Sequence, residues 1–226
     1  LYTFATYRLT NLYYRAALGE SLAMVFLPLL LWGAYEVLYG EEKKWYLLVL
    51  GISGVLESHV LSFEMCLLFL VAEGTVWLIR CAVNNRQALK DRMIALLKAV
   101  AVTIGANAAF LIPFLYYTGE DLQVFHMPAE VAGSGVYLTQ MFQLYPPADG
   151  MNLLQGTSQG EMPLSVGFVL LAGLLIFLAM LFRNAPETTA VKAGKHCLCY
   201  GVVSLLLASW LCPWEKLQNL QLFHLI

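Results

Sequence analysis

Charged residues are scarce in this sequence, and their scarcity excludes most soluble folds. Only 12% of the 226 residues are Asp, Glu, Lys or Arg, whereas a soluble domain carries about 25%. Hydrophobic residues make up 60%, more than a water-soluble core of this length can bury beneath a polar shell. The low charge excludes intrinsic disorder, and the lack of a heptad or Gly-X-Y period excludes coiled coil and collagen. The composition therefore indicates an integral membrane protein.

Several sequence motifs are also missing. There is no Gly-rich phosphate loop, no Gly-x-Ser-x-Gly elbow and no His-Glu-x-x-His helix. The five cysteines are odd in number and scattered, so they indicate no disulfide framework. No basic patch stands beside aromatic platforms, which excludes nucleic acid as a partner. No signal peptide precedes the first apolar run, and both ends look cut, so we expect an internal piece of a longer protein.

Long apolar runs predict an all-α bundle of about six membrane helices, because a span needs about 20 mostly apolar residues. The second run is short, and we expect a tight turn at Glu57-Ser58-His59 to join it to the third. We treat 1–226 as a single transmembrane domain. The predicted spans are 21–39, 45–57, 60–80, 93–117, 163–183 and 197–214.

The distribution of basic residues predicts the orientation of these spans. Ten of the 13 Lys and Arg residues lie in or beside three connections, at 40–44, 80–98 and 183–195. The segment 118–162 contains no Lys or Arg but five acidic residues. The positive-inside rule therefore makes the basic connections cytoplasmic and the long acidic loop 118–162 external. We expect this loop to fold back on the outer surface as a lid or wall.

The first 17 residues have the pattern of an amphipathic helix in the outer interface. Apolar residues recur at spacings of three and four, and Arg8, Asn11 and Arg15 form a polar stripe with the same period. Glu20 follows at the head of the first span. Guanidinium groups suit phosphate oxygens, so Arg8 and Arg15 are candidates for binding the phosphate of a lipid-linked substrate. Asn11 and Glu20 stand with them as candidate substrate-binding residues. Binding of ordinary anionic phospholipid explains the stripe equally well.

The external turn carries the candidate catalytic residues. Glu57 and His59 place a carboxylate and an imidazole at the mouth of a helical pair, with Glu64 one or two turns further on. Such a pair at a partly hydrated membrane surface can act as general base, metal ligand or proton relay. The competing interpretation is that these polar residues only close a tight interfacial turn.

Polar residues inside the predicted spans each need a reason, because ionisable groups are costly there. Glu36 is near a cytoplasmic end and can extend to the surface. Glu73 and Arg80 share a helical face, which suggests a local relay or a structural pair. Asn107 is expected to hydrogen-bond to another helix. A seam of small residues for close helix packing is formed by Ala101, Gly105 and Ala109.

Four stretches resemble a known family. They are the run 7–20, the sequence Phe26-Leu27-Pro28-Leu29, the sequence Ser58-His59-Val60-Leu61-Ser62 and the sequence 209–214. Together they resemble the bacterial membrane proteins labelled pyruvoyl-tetrahydropterin-synthase-related, which belong with the GT-C type glycosyltransferase-like proteins. The resemblance is most specific over 7–28 and 51–62, and nothing in the sequence suggests pterin chemistry.

The resemblance implies a multi-pass protein of the bacterial inner membrane that acts in the cell envelope. It implies transfer of a sugar from a polyprenyl-phosphate donor on the outer side. A base there, with Glu57 and His59 as candidates, would deprotonate an acceptor hydroxyl. Arg8 and Arg15 would hold the departing lipid phosphate, and a divalent metal is left open as a cofactor. The acidic residue that such enzymes carry in their first external loop has no clear counterpart in this sequence.

The alternative is a non-enzymatic membrane transporter or cell-envelope assembly factor, with membrane lipids as the partners. A transporter would favour polar residues spread through the membrane along a path, whereas few lie deep in the predicted spans. The sugar, the acceptor and the oligomeric state stay open.

Overall fold

The computed structural model describes residues 2–84, 86–118, 136, 141–142, 165–183 and 186–213. Within these residues the chain is helical, and β-structure is limited to one bridge between Val136 and Ser209. The all-α prediction is therefore confirmed. The helices of eleven residues or more in this part of the chain are α1 (Leu18–Leu38), α2 (Trp45–Ser58), α3 (Val60–Asn84), α4 (Arg86–Ala106), α5 (Ala108–Thr118), α6 (Phe168–Phe182) and α7 (Thr189–Ala208).

Helix lengths support fewer membrane spans than the six predicted. In the described residues, three stretches are long and apolar enough to cross a membrane: α1, Val60–Cys81 of α3 and Val191–Ala208 of α7. The pair α4 and α5 makes a fourth if it is counted as one bent span. Helices α2 and α6 have 14 and 15 residues. At 1.5 Å per residue each covers little more than about 20 Å, less than the roughly 30 Å of a hydrocarbon core.

The predicted span 93–117 is not one straight helix. Helix α4 ends at Ala106, α5 begins at Ala108, and the apolar parts of the two are bent by 73°. Asn107 lies at the bend, where its side-chain Nδ2 donates to the Thr103 carbonyl at 2.7 Å. Its own carbonyl accepts from the amides of both Phe110 and Leu111. A side chain inserted into the backbone ladder is a recognised cause of helix kinks, and an apolar pattern alone does not reveal it.

The single interfacial helix predicted over 1–17 is replaced by three short pieces. A 3₁₀ turn covers Tyr2–Phe4, an α-turn covers Thr6–Leu9, and a π-type turn covers Thr10–Tyr14. The extended backbone of Ala5 separates the first two pieces, and a bond from the Arg15 amide to the Thr10 carbonyl widens the last. The wider turn changes which residues share a face, so the spacing of three and four no longer describes one stripe.

Contacts divide the chain into two compact units. We call Ala16–Leu122 the central unit, and Leu1–Arg15 with Gln123–Ile226 the terminal unit. The central unit therefore contains α1 to α5, and the terminal unit contains α6 and α7.

Helices α1 and α2 of the central unit form an antiparallel hairpin in close contact. Gly33 lies against the backbone of Leu48, and Gly51 lies against the backbone of Leu30. A Cβ added at either glycine would come within 2.5 Å of main-chain atoms of the other helix, so no larger residue fits. Two buried clusters flank the hairpin, one with α4 and one with α3. The first contains Val37, Leu48, Val49, Ala95 and Ala99; the second contains Ala23, Leu30 and Val55, with Phe63, Cys66 and Leu70 packed on it.

The terminal unit packs its N-terminal segment near the start of α6. Gly167 has φ +85°, and a Cβ there would meet the Thr6 hydroxyl at 2.2 Å. Thr188 caps α7 by accepting a hydrogen bond from the Val191 amide at 3.3 Å. Val136 of the long predicted loop pairs with the end of α7 through Ala208 and Trp210. Most of the loop 118–162, and with it the predicted lid, lies outside the described residues.

Candidate functional site

The turn between α2 and α3 is formed by His59, whose side chain caps the second helix. His59 has extended backbone angles (φ −159°, ψ 107°) and its carbonyl accepts from the Phe63 amide at 3.1 Å. Its ring Nδ1 lies 3.2 Å from the Ser62 amide nitrogen and 2.9 Å from the Ser62 hydroxyl. A helix begins with amides that have no partner within the helix, and His59 provides an acceptor for one of them. The imidazole is therefore held in place by the helix that follows it.

The beginning of α1 lies against this turn. A Cβ added at Gly19 would be 2.8 Å from the Ser58 carbonyl oxygen and 3.4 Å from Cδ2 of the His59 ring. Only a glycine allows so close an approach without a shift of the turn. Glu20, a predicted substrate-binding residue, is the next residue along and is half-buried. The structure thus brings the α1 segment that carries Glu20 to the same end of the unit as His59.

Two acidic residues flank the turn, one on each of its helices. Glu57 and Glu64 are both exposed on the surface of the chain. Among the residues that the structure describes, no group of three or more His, Cys, Asp and Glu side chains could hold a metal ion. Glu57 thus stands at the edge of the turn, exposed and two residues from His59.

The opposite end of the α1–α2 hairpin is closed by an ionic network. Glu36 accepts hydrogen bonds from Trp32 Nε1 at 3.0 Å and from the Glu41 amide at 2.9 Å. Lys44 lies 3.3 Å from a carboxylate oxygen of Glu36 and 3.3 Å from one of Glu41. The hydrogen bond to Glu36 raises the pKa of the Lys44 ammonium. Glu36 is therefore bound by local partners at the end of its helix.

Further bonds tie α3 and α4 to the same end of α1. The Tyr39 hydroxyl donates to the Glu73 carboxylate and also interacts with Arg80. Burial, together with this bond to Glu73, raises the pKa of Tyr39 to about 12. Arg92 donates to the carbonyls of Val37 and Gly40 at 2.7 and 2.9 Å, so it caps the C-terminus of α1. Glu73 and Arg80, which the sequence suggested as a pair, meet at a tyrosine that no sequence pattern singled out.

The predicted arginine stripe lies in the terminal unit. The Arg8 guanidinium carbon sits 5.5 Å from the centre of the Tyr2 ring, a cation–π contact. Arg15 donates to the Asn11 side-chain oxygen at 3.0 Å. Asn11 is completely buried, so it lies inside the unit rather than on an outward polar stripe. Arg8, Asn11 and Arg15 thus belong to one unit, and Glu20, Glu57 and His59 belong to the other.

A second polar location lies at the bend between α4 and α5. Asn107 Nδ2 donates to the Ser53 hydroxyl of α2 at 2.8 Å, which confirms the predicted hydrogen bond to another helix. Thr103 Oγ1 and Asn107 Oδ1 are buried and have no hydrogen-bond partner among the described residues. Neither Ser53 nor Thr103 was singled out from the sequence, because a lone hydroxyl in an apolar helix carries no pattern. By contrast, a Cβ on Gly105 of the small-residue seam would meet nothing within 4 Å in the described structure.

Comparison with known proteins gives one relative of unassigned function. No family model and no solved structure matches the chain. The chain is similar to an uncharacterized protein of Lactococcus lactis subsp. cremoris (strain MG1363), with 32% identity over 224 residues and 95% of this chain covered. It spans about a third of that protein's length (34%). The chain is therefore similar to part of a longer protein whose name gives no activity.

Proposed function

We propose that this chain is part of a multi-pass GT-C type glycosyltransferase of the bacterial inner membrane. In this proposal the enzyme takes a sugar from a polyprenyl-phosphate donor on the extracytoplasmic side and acts in the cell envelope. The supporting observation is the contact of Gly19 with Ser58 and His59. It joins the part of the stretch 7–28 that lies in the central unit to the stretch 51–62, and the resemblance to that class is most specific in these two stretches. Residues far apart in sequence are thereby assembled into one location at one end of the central unit.

The chemistry proposed for this location is general-base catalysis. The Glu57 carboxylate takes the proton of an acceptor hydroxyl, whose oxygen forms a bond to the anomeric carbon of the donor sugar. The bond from that carbon to the phosphate oxygen breaks, and the polyprenyl phosphate leaves with the electron pair. Arg8 and Arg15 of the terminal unit stay predicted phosphate ligands, because guanidinium groups bind phosphate oxygens in a planar, bidentate manner.

The positions of charge support the proposed orientation. Lys44 and Arg92, from two of the connections predicted to be cytoplasmic, bind at the C-terminal end of α1. His59 lies at the other end of α2, which at 14 residues places it about 20 Å away. In the proposal the basic end faces the cytoplasm and the turn at His59 faces outward.

The test is sugar transfer by the full-length protein reconstituted in vesicles with labelled polyprenyl-phosphate sugars. We expect Glu57→Gln to reduce transfer about 100-fold or more, the contribution of a positioned general base. Glu64→Gln is the matched control, because it removes an exposed carboxylate from the next helix and should leave transfer unchanged. Equal rates in wild type and Glu57→Gln would exclude the proposed base.

A second candidate function is transport of a lipid-linked glycan without catalysis, and the bend at Asn107 favours it. Transporters bind polar substrates where a membrane helix is interrupted, and Thr103 and Asn107 present buried, unpartnered oxygens at this bend. Vesicles that move the labelled donor across the membrane without consuming it would support transport. Loss of that movement in Asn107→Leu would locate the path at the bend. Binding without transfer or movement would instead fit an assembly factor.

A further inference from the structure

The cap on α3 fixes which nitrogen of His59 carries the proton. A backbone amide can only donate, so the Ser62 amide, 3.2 Å from Nδ1, requires a lone pair on that nitrogen. The Ser62 hydroxyl, 2.9 Å away, can donate to the same nitrogen. The proton of the neutral imidazole therefore lies on Nε2. The hydrogen bond of one ring nitrogen sets the tautomer and hence the chemistry of the other.

This tautomer limits what His59 can do at the turn. With its proton on Nε2, the neutral ring has no lone pair there, so Nε2 can neither accept a proton nor bind a metal. Either role would require the proton to move to Nδ1, where it would face the Ser62 amide and break the cap. What the ring offers at Nε2 is a hydrogen-bond donor.

The first turn of α1 lies near the other side of the ring. Cδ2 is bonded to Nε2, and it lies 3.4 Å from the point where a Cβ of Gly19 would be. The α3 cap holds one edge of the imidazole, and the first turn of α1 lies along the other. A donor restricted in this way needs little reorganisation when it binds an acceptor, which is the property that makes fixed donors effective at developing negative charge.

We infer that His59 donates a hydrogen bond from Nε2 to an anionic phosphate oxygen, and that the backbone amide of Ser62 holds the tautomer. The identity of that phosphate rests on the proposed function, in which it belongs to the departing polyprenyl phosphate. The proton stays on Nε2 throughout, so no covalent bond forms or breaks at His59. The role of base falls to Glu57, which is exposed two residues earlier. Charge-assisted hydrogen bonds of this kind are about twice as strong as neutral ones.

The tautomer is tested by nitrogen NMR of the full-length protein in nanodiscs, with ¹⁵N-labelled histidine and His59→Asn used to assign the signal. We expect the neutral His59 ring to show its proton on Nε2. Ser62→Ala removes the hydroxyl but keeps the amide, so it should broaden or shift the Nδ1 signal without moving the proton. A neutral ring with its proton on Nδ1 would overturn the inference, whatever activity the protein has.

The donor role is tested by adding phosphate-bearing lipids to the labelled protein in dodecyl maltoside, a detergent without a phosphate group. One sample contains no added lipid, a second contains polyprenyl phosphate, and a third contains phosphatidylglycerol. We expect polyprenyl phosphate to shift the Nε2–H resonance downfield, and no shift with either added lipid would overturn the inference. A shift with phosphatidylglycerol alone would support phosphate recognition by His59 while counting against the proposed substrate.

A pair of variants separates the donor from the cap. His59→Asp keeps an oxygen that can accept from the Ser62 amide, but it replaces the donor with a negative charge. We expect it to retain the thermal stability of wild type and to reduce sugar transfer about 100- to 1,000-fold, the effect of losing one oxyanion donor. His59→Asn keeps both a cap acceptor and N–H donors and should recover part of that loss. Full transfer by His59→Asp would mean that His59 only caps the helix. Absence of transfer in wild type would refute the proposed function and leave the NMR results to decide the inference.

Discussion

Replacement of Gly33 by alanine tests the packing on which the central unit depends. A Cβ at this position would lie 2.3 Å from the Leu48 nitrogen and 2.5 Å from its Cα. Ordinary contact begins at 3.4 Å, so α1 and α2 would have to separate locally by about 1 Å. The obstructing atoms belong to the backbone, and no rotamer change can relieve the clash.

The expected loss follows from two opposing effects. Overpacking of a filled interior costs about 1–3 kcal/mol, and a clash with main chain belongs at the upper end of that range. Alanine returns about 1 kcal/mol through its better helix propensity. We therefore expect Gly33→Ala to lower the free energy of unfolding by about 2 kcal/mol. Gly51→Ala, which meets the backbone of Leu30 at 2.4 Å, should behave alike. The double variant should lose less than the sum, since the first Cβ already separates the helices.

The assay is unfolding of the purified full-length protein in mild detergent by titration with a denaturing detergent, followed by circular dichroism. Gly74→Ala is the matched control, because it lies in α3 and a Cβ there would meet nothing within 4 Å in the described structure. We expect this control to be as stable as wild type or slightly more stable. Equal stability of Gly33→Ala and Gly74→Ala would refute the close backbone contact between α1 and α2.

Three other substitutions test the polar contacts of the central unit. Asn107→Ala should lower the unfolding free energy by no more than about 1 kcal/mol in the same titration, which is the scale of an interhelical hydrogen bond in a membrane. A larger loss would mean that Asn107 stabilises the fold mainly through something other than its bond to Ser53. Arg92→Gln should cost about 2 kcal/mol, because the charged donor to two carbonyls at the end of α1 is lost, and an unchanged midpoint would contradict that cap. The pKa of Tyr39 is raised from 10 to about 12, so the folded protein favours the neutral hydroxyl. The resulting contribution to the free energy of unfolding is complete below pH 10 and is lost as the pH rises towards 12. Tyr39→Phe should remove that part of the pH dependence measured by unfolding at each pH, and an identical profile would show that the bond to Glu73 is not responsible.

Predictions from composition and charge depended on properties that a short segment carries by itself. The apolar runs placed α1, α2 and α3 within a few residues of their observed bounds. The predicted spans were 21–39, 45–57 and 60–80, and the observed helices are Leu18–Leu38, Trp45–Ser58 and Val60–Asn84. The turn at His59 was found in the same way, because a polar group between two apolar runs is a local signal. The predicted start of α7 was less accurate, because the helix begins at Thr189 and not at 197. Its first turns are amphipathic and include Lys192 and Lys195, so they do not belong to an apolar run.

The errors of the sequence predictions concern places where helices bend or meet. At the bend, Asn107 bonds to Ser53 of another helix, 54 positions away, and the apolar run of 25 residues around it indicates neither the bond nor the bend. The seam at Gly105 has the spacing of a packing motif, but a Cβ there would meet nothing within 4 Å in the described structure, whereas Gly33 and Gly51 lie against the backbone of another helix. Spacing shows that a close approach is sterically allowed, and it does not show which helix approaches.

The sequence by itself determined that the protein is helical and suited to a membrane, because hydropathy and charge scarcity act residue by residue. It also determined that the turn at Glu57 and His59 is polar. Only the tertiary structure decided that Gly19 meets that turn and that Ser62 holds the Nδ1 side of the imidazole. The partner atoms are a backbone carbonyl at Ser58 and a backbone amide at Ser62. Nearly every residue type carries these groups, so the sequence does not show which residues supply them.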